Sequence, residues 1–385
     1  MRILVINRYF GDDEVPTGRM LCDLASVLLR QGHQVTVMAV HNRRRSVGGI
    51  PTDLPKFAWL KIRTGGEKSR LVSWFLFWLQ ACFLTPLISW DRCIILTDPP
   101  FLTIIPLINH FLGRGDRQVY WWTMDLYPEA PVAAGLIKEG GMLHRFLIGV
   151  NNLGLRHMAG VICLGEVQWR RLSRYRYWQQ KPEFSLVIPP WDNRTIAPVP
   201  VDRNRFLQKF ALGGYRIVLY AGNLGKAHSY SELLQGAKFM DKTNPEWRFI
   251  FAVRGPHLVE LEREAADLSN VIIVNYQPAE LTADLLWAAT VHVITMKDGW
   301  EGIVVPSKLY GIFKTAAPVL FIGPEDSDTA REIKKYRFGE LLNVGASGER
   351  VARKLIQLAT RNDPVHAPVI TGGAGEIGHF ITKRS

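Results

Sequence analysis

Residues 216–240 read RIVLYAGNLGKAHSYSELLQGAKFM. The apolar run at 216–221, the turn carrying Gly222 and Gly225, and the helical segment at 229–240 make one strand–turn–helix unit. Downstream the unit repeats, with strands predicted at 247–253, 271–274, 291–295 and 319–322 and helices at 257–268, 281–288 and 307–315. Upstream the same alternation places strands at 2–6, 34–40, 93–96, 119–122, 160–164 and 186–188. A helix is predicted at 19–31, where Leu21, Leu24, Ala25 and Leu28 recur at helical spacing before Gly32. Short strands alternating with amphipathic segments predict parallel sheets covered by helices, an α/β chain of two doubly wound, Rossmann-like domains. The alternation breaks at 189–200, where four prolines flank Trp191, Asp192 and Asn193, a composition suited to an ordered connector. The predicted organisation is a first domain at 1–188, a linker at 189–202, a second domain at 203–362 and a tail at 363–385.

Composition narrows what such a chain does. Of 385 residues 47% are apolar and 21% charged, enough for packed cores and too ordered a mixture for a fibrous or low-complexity protein. Cys22, Cys82, Cys93 and Cys163 stand far apart, so neither a zinc site nor a disulfide framework is signalled, and a reducing cytosol is expected. The opening Met-Arg followed by ILVI at 3–6 is too short for a signal-peptide core and is read as the first strand. Residues 1–190 carry 23 basic against 14 acidic side chains and residues 191–385 carry 24 against 21, so the net charge of +12 is concentrated in the first half. Such a field gathers anionic partners, whether lipid head groups or phosphorylated substrates, or else serves as a solubilising face. No nucleic-acid-binding signature accompanies it, and the tight run Arg43-Arg44-Arg45 is read as part of an exposed loop.

Residues 71–90 hold no formal charge. Their length would span a bilayer, but Ser73, Gln80, Thr85, Pro86 and Ser89 interrupt them, and a span would separate the first two strands from those they pair with. Two readings remain: a buried core helix, or a helix resting Trp74, Phe75, Phe77 and Trp78 in the lipid interface beside basic flanks.

The chemistry-bearing residues cluster at predicted strand ends. A strand, the turn Gly222-Asn223-Leu224-Gly225-Lys226 and a following helix form an anion site or, read alone, a plain tight turn. After the strand at 291–295 comes Lys297-Asp298-Gly299-Trp300-Glu301-Gly302, then Pro306-Ser307-Lys308-Leu309-Tyr310-Gly311, where Pro306 or Ser307 opens a second helix with Lys308 in its first turn. Two helix ends with Lys226 and Lys308 suit a diphosphate without a metal. Asp125 and Glu129 follow the strand at 119–122, where an acceptor hydroxyl could lose its proton; alternatively Asp125 caps a helix and Glu129 meets its dipole.

At these residues the chain resembles a known family. EGIVVPSKLYG at 301–311, PVLFIGPED at 318–326, LYAGNLGKAH at 219–228 and WTMDLYPEAPVAAG at 122–135 look like the GT-B retaining glycosyltransferases of the fourth family, closest to bacterial members that build O-antigen, capsule or exopolysaccharide. The resemblance covers residues 1 to about 362 and implies a nucleotide-sugar donor, UDP-linked, on the second domain. It further implies an acceptor on the first domain, a polyprenyl diphosphate-linked saccharide, with the nucleotide sugar as substrate and no cofactor. By it Asp125, Glu301 and Lys308 are catalytic. Gly18, Gly222, Asn223, Lys226, Arg254, Pro306, Ser307 and Tyr310 bind donor, and Asp98 and Glu129 bind acceptor. A peripheral site on the cytosolic membrane face is the expected location.

Departures bear on these roles. The family's usual glutamate pair falls near Glu301 and Gly311, and Gly311 has no side chain to hold a ribose. Its arginine after the first strand of the second domain is Asn223 here, so Lys226, Lys308 or Arg254 must supply charge, although Arg254 equally suits a surface ion pair. Gly11 to Gly18 is similar to the family's flexible loop, or is a simple turn. Asp98 is an acceptor-loop residue or a helix cap, and Asp326-Ser327-Asp328 is read as a cap and not a metal motif. The tail at 369–378, with GxGxxG at 373, 375 and 378, resembles the first strand and glycine turn of NAD-dependent sugar epimerases, but it is too short for a βαβ unit and is read as a remnant or truncated fusion, or as a tail repacked on the first domain. Two rival functions stay open: a nucleotide-sugar 2-epimerase, which needs no acceptor, and a non-catalytic nucleotide-sugar-binding subunit.

Overall fold

The computed structural model describes residues 1–11, 15–40, 57–62, 69–115, 117–179, 182–361 and 372–383. Its chain divides into two compact units, Met1–Trp191 with Gly302–Val305 and Thr371–Ser385, and Asp192–Glu301 with Pro306–Ile370. The first break falls between Trp191 and Asp192, inside the proline-flanked connector. Arg43-Arg44-Arg45 lies outside the described residues.

The first unit runs β1 (Arg2–Ile6), α1 (Pro16–Arg30), β2 (Gln34–Val40), β3 (Phe57–Ile62), α2 (Arg70–Leu84), β4 (Arg92–Ile95), α3 (Ile104–Phe111), β5 (Gln118–Trp122), α4 (Glu129–Ala133), α5 (Met142–Leu155), β6 (Gly160–Cys163), α6 (Glu166–Leu172) and β7 (Ser185–Val187). The strands form one parallel sheet in the order β3-β2-β1-β4-β5-β6-β7. Its central strands are buried on both faces, which is why β1 and β4 read as unbroken apolar runs after their first residue, ILVI and CII. Since right-handed crossovers leave β1 in one direction and β4 in the other, α1 covers one face while α2, α3 and α5 cover the opposite one. Within that layer α5 approaches α3 closely. A Cβ on Gly154 would fall 2.1 Å from the Thr103 carbonyl oxygen. Gly154→Ala is therefore expected to cost at least about 1–3 kcal/mol through overpacking, read as an earlier thermal melt.

The second unit runs α7 (Arg205–Lys209), β8 (Arg216–Asn223), α8 (Ser231–Met240), β9 (Trp247–Arg254), α9 (Leu258–Ala265), β10 (Val271–Asn275), α10 (Thr282–Trp287), β11 (Val291–Thr295), α11 (Lys308–Ile312), β12 (Val319–Ile322), α12 (Asp328–Lys335), β13 (Gly339–Leu342) and α13 (Gly348–Ala359). Its parallel sheet has the order β10-β9-β8-β11-β12-β13. Trp247, Phe249, Phe251 and Tyr220 fill the centre of the core on one face of this sheet. Two edge strands, β3 and β13, carry no strong β-branched run and escaped the sequence reading. The cap at 326–328 is Ser327, whose hydroxyl accepts from the Ala330 N–H.

The tail returns to the first unit as α14 (Gly373–Thr382). Two of its glycines are packing positions: a Cβ on Gly373 would meet the Trp191 ring at 2.6 Å, and Gly378 lies against Val27 and Leu28 of α1, whereas Gly375 is open. Phe380 stands edge-on to Tyr120. The GxGxxG stretch thus lies in a helix and its approach, not in a nucleotide turn.

Candidate functional site

Both sheets have a topological switch point, where the chain order reverses and ligands of open α/β sheets bind. In the first unit it lies between β1 and β4 and is closed. The pairing continues past the strands, with the Arg8 N–H donating to the Asp98 carbonyl at 2.8 Å. The Arg8 side chain then reaches the Asp98 carboxylate, Nε to Oδ1 at 3.0 Å. The Trp74 indole N–H donates to the same carboxylate at 2.7 Å, and Arg8 Nη1 donates to the Ser73 hydroxyl at 3.3 Å. Asp98 is thus held by an arginine and a tryptophan at the sheet's carboxyl edge, and not as a helix cap.

In the second unit the switch point lies between β8 and β11, and it is open. These strands pair only through Val291 with Val218 and His292 with Leu219, whereas β8 pairs with β9 along eight residues. Past that point the carboxyl ends of β8 and β11 separate. The loop after β8 bridges them, with the Lys297 N–H donating to the Ala227 carbonyl at 2.8 Å and His228 Nδ1 lying 2.6 Å from the Thr295 carbonyl. Burial, reinforced by Lys308 and Lys297, pulls His228 down to about 3, so its ring is neutral and Nδ1–H is the donor.

Lys308 enters this gap. Its Nζ stands 4.2 Å from the centroid of the Tyr220 ring and 3.7 Å from where a Cβ on Gly222 would be. Gly222 has φ +131°, a backbone conformation that also keeps its site clear of a side chain. Among the described residues the ammonium has no hydrogen-bond partner, and these residues bury it from solvent. Burial draws its pKa from the usual lysine range down to about 7. A desolvated cation with three unused donors, over an aromatic face and beside a bare glycine, is built to accept an anion.

The other predicted donor residues fall around this centre unevenly. Asn223 ends β8 and is exposed, and its amide lies against Gly225 and Gly255. Lys226 is exposed on the bridging loop. Arg254 ends β9 beside Asn223 and stacks over the Tyr276 ring at 4.3 Å, a partner the sequence reading did not name. Pro306 is buried, and Ser307 precedes α11 without a side-chain cap bond. Glu301 accepts from the Gly299 N–H at 3.0 Å. Tyr310 is a correction: it is 4% exposed and packs edge-on against Phe313, because its side chain leaves α11 on the core side.

The helix-end expectation is corrected as well. The helix opened by Ser307 spans only Lys308–Ile312, too short for a substantial dipole. Glu232 already occupies the first turn of α8, accepting from the Gly345 N–H and the Ser229 hydroxyl, so a carboxylate offsets that dipole from within. One lysine side chain, rather than two helix tips, supplies the charge at the gap. Gly311 has its own physical reason, since a Cβ there would sit 3.1 Å from Asp192 Oδ2.

In the first unit Gly18 is the third residue of α1, and its carbonyl accepts from the Gly11 N–H at 3.4 Å. Asp125 is exposed just past β5, and the N–H of the next residue, Leu126, donates to the Ile303 carbonyl at 3.0 Å. Glu129 is buried and accepts from the Tyr175 hydroxyl at 2.6 Å, while its Oε2 is buried with no hydrogen-bond partner among the described residues. Tyr220, Thr295 and His228 were missed as lining. Strand alternation puts Tyr220 on a buried face, and only the separation of β8 from β11 opens that face to Lys308.

Two switch-point sheets of this order define the class: the fold is GT-B, the architecture of a large group of nucleotide-sugar-dependent glycosyltransferases. Among curated proteins the chain is similar to a probable glycosyltransferase, WbjE of Pseudomonas aeruginosa, 21% identical over 351 residues that make up 88% of this chain and 84% of that one. Among solved structures it resembles WaaG, a glycosyltransferase involved in lipopolysaccharide biosynthesis (TM-score 0.68, 13% identity, all of both chains). It also resembles sucrose-phosphate synthase from Thermosynechococcus elongatus (0.66, 12%, 99% of this chain and 94% of that one). A UDP-N-acetylglucosamine 2-epimerase shares the fold at a lower score, 0.56, with 14% identity over 98% of this chain and 94% of that one. No family model matches the chain.

Proposed function

We propose that this protein is a glycosyltransferase that takes a sugar from a nucleotide sugar, UDP-linked, and passes it with retention of configuration to a polyprenyl diphosphate-linked saccharide during cell-surface polysaccharide synthesis. The observation that carries the reading is the unpartnered Lys308 ammonium in the gap between β8 and β11. A nucleoside diphosphate satisfies it at the place where open α/β sheets take nucleotides. When the sugar–phosphate bond breaks, negative charge grows on the departing diphosphate, and a desolvated ammonium stabilises it more strongly than a hydrated one would. Asn223 and Arg254 lie beside the gap as further donors, and Glu301 is the group assigned to the sugar. Asp125 is assigned the acceptor proton, and Asp98, fixed by Arg8 and Trp74, the acceptor's hydroxyls. No cofactor enters this scheme. The relative named WbjE, carrying the description of a glycosyltransferase, supports transfer over epimerisation.

The test is calorimetric titration with UDP in buffers of different ionisation enthalpy. Anion binding favours the charged form of Lys308 and raises its pKa from about 7, so UDP is expected to take up a proton above pH 7 and to bind more weakly as pH rises. Binding with no proton uptake at pH 8 removes Lys308 from the phosphate site. Labelled UDP-sugar with and without lipid-linked acceptor then separates transfer from epimerisation and from binding alone.

A further inference from the structure

Three helices of the first unit differ in charge from the longer helices of the second. In the second unit α8, α9, α12 and α13 all carry Asp or Glu among their residues. In the first unit α2, α3 and α5, three neighbouring helices over one face of the sheet, contain no acidic residue, and the acid of the adjoining α6 is Glu166 at its start. Helix α2 turns Ser73, Phe77 and Ala81 inward and leaves Leu71, Val72, Phe75, Leu79 and Phe83 outward, Phe75 at 61% and Phe83 at 72% exposure. Neither of the two readings of 71–90 holds by itself, because the helix is core on one side and apolar to solvent on the other. Helix α5 repeats the pattern, with Met142 89% and Phe146 66% exposed. The exposed cations Lys138, Arg145 and Arg156 lie on α5 and at its two ends, with Glu139 beside Lys138. Among the described residues no helix is long and apolar enough to cross a membrane.

We propose that the outward face of α2, α3 and α5 docks on an anionic lipid bilayer, the apolar side chains entering the interface and the arginines meeting lipid phosphates. A single exposed leucine needs no partner, but a helical stripe of Leu and Phe repeated on a neighbouring helix exceeds what a free surface ordinarily shows. The charge balance selects the occupant: Lys138, Arg145 and Arg156 outnumber the one flanking carboxylate, Glu139, so an anionic surface is attracted on balance, and cations border the apolar stripe as in interfacial helices. The same helix holds the acceptor-side cluster, since Trp74 and Ser73 of α2 bind Asp98 and Arg8. A lipid-borne acceptor and its docking face thus share one element, which ties this inference to the acceptor proposed above. Docking itself requires neither nucleotide nor turnover.

The experiment is co-sedimentation of the full chain with vesicles of phosphatidylcholine alone and of phosphatidylcholine with phosphatidylglycerol. Binding to the anionic vesicles, weakened by salt, is expected, and Phe75→Asp/Phe83→Asp is expected to reduce partitioning by about tenfold or more. Val259→Asp, at an exposed apolar position of the second unit, is expected to change nothing. Failure to bind either vesicle, or binding unaffected by the double substitution, overturns the proposal. So does a concentration-dependent dimer in sedimentation velocity that the double substitution abolishes, because the face is then covered by a second copy. UDP titration of the same variants keeps the two proposals apart: the substitutions are expected to leave it unchanged.

Discussion

Lys308→Met is expected to lower the affinity for UDP by about 30-fold or more while raising the melting temperature by several degrees. Methionine keeps the length and the apolar stem and removes the charge. Hydrogen bonds to a charged group are worth about 1.5–3 kcal/mol, which sets the scale of the lost affinity. The gain in stability has a separate cause. The folded chain holds Lys308 near pKa 7, while the unfolded chain holds it near the ordinary lysine value of 10.5, so the fold opposes a charge that the unfolded state accepts freely. Below about pH 7 that penalty is present in full, on the order of a few kcal/mol. Between about 7 and 10.5 the unfolded chain binds the extra proton, so wild-type stability gains on rising pH in this window relative to the variant. The advantage of Lys308→Met is therefore greatest at low pH and fades toward pH 10. Thermal melts at several pH values, with UDP titrations alongside, check both halves. A variant that melts lower and binds UDP normally would assign Lys308 a structural role.

Asp125→Asn is expected to reduce transfer by about 100-fold or more with the melting temperature and the UDP affinity unchanged. General-base contributions are typically 100- to 10,000-fold, and the substitution removes the proton acceptor while keeping the shape. Asp125 is exposed past β5, and asparagine keeps its volume. Glu129 offers the internal contrast. Glu129→Gln is not expected to alter chemistry directly, because its carboxylate lies beneath the surface against the Tyr175 hydroxyl. Equal loss in both variants would mean that the segment's conformation, rather than a proton transfer at Asp125, governs the rate.

Part of this architecture is legible in neighbouring residues. The alternation of strands and helices, the break near residue 191 and the turn at Gly222 are local patterns of burial and backbone freedom, written in residues next to one another. Strands buried on both faces read as unbroken apolar runs, so β1, β8, β9 and β11 were legible, whereas the edge strands β3 and β13 were not. The chemistry of Lys308 was legible only in part. Its place after β11 follows from the sequence, but its surroundings do not: the sequence sets it in the first turn of a helix, beside an expected diphosphate, and the fold turns it over the Tyr220 ring, where β8 and β11 separate. Tyr310 and Glu129 went inward for the same kind of reason, since which side of a short helix meets the core depends on elements far away in the chain. Tertiary structure alone decided that α2 presents apolar side chains both inward and outward, and that two glycines of the tail serve packing against Trp191 and α1. Local propensity sets where elements begin and end; the environment of a charge is set by what long-range packing excludes, and water is the first thing it excludes.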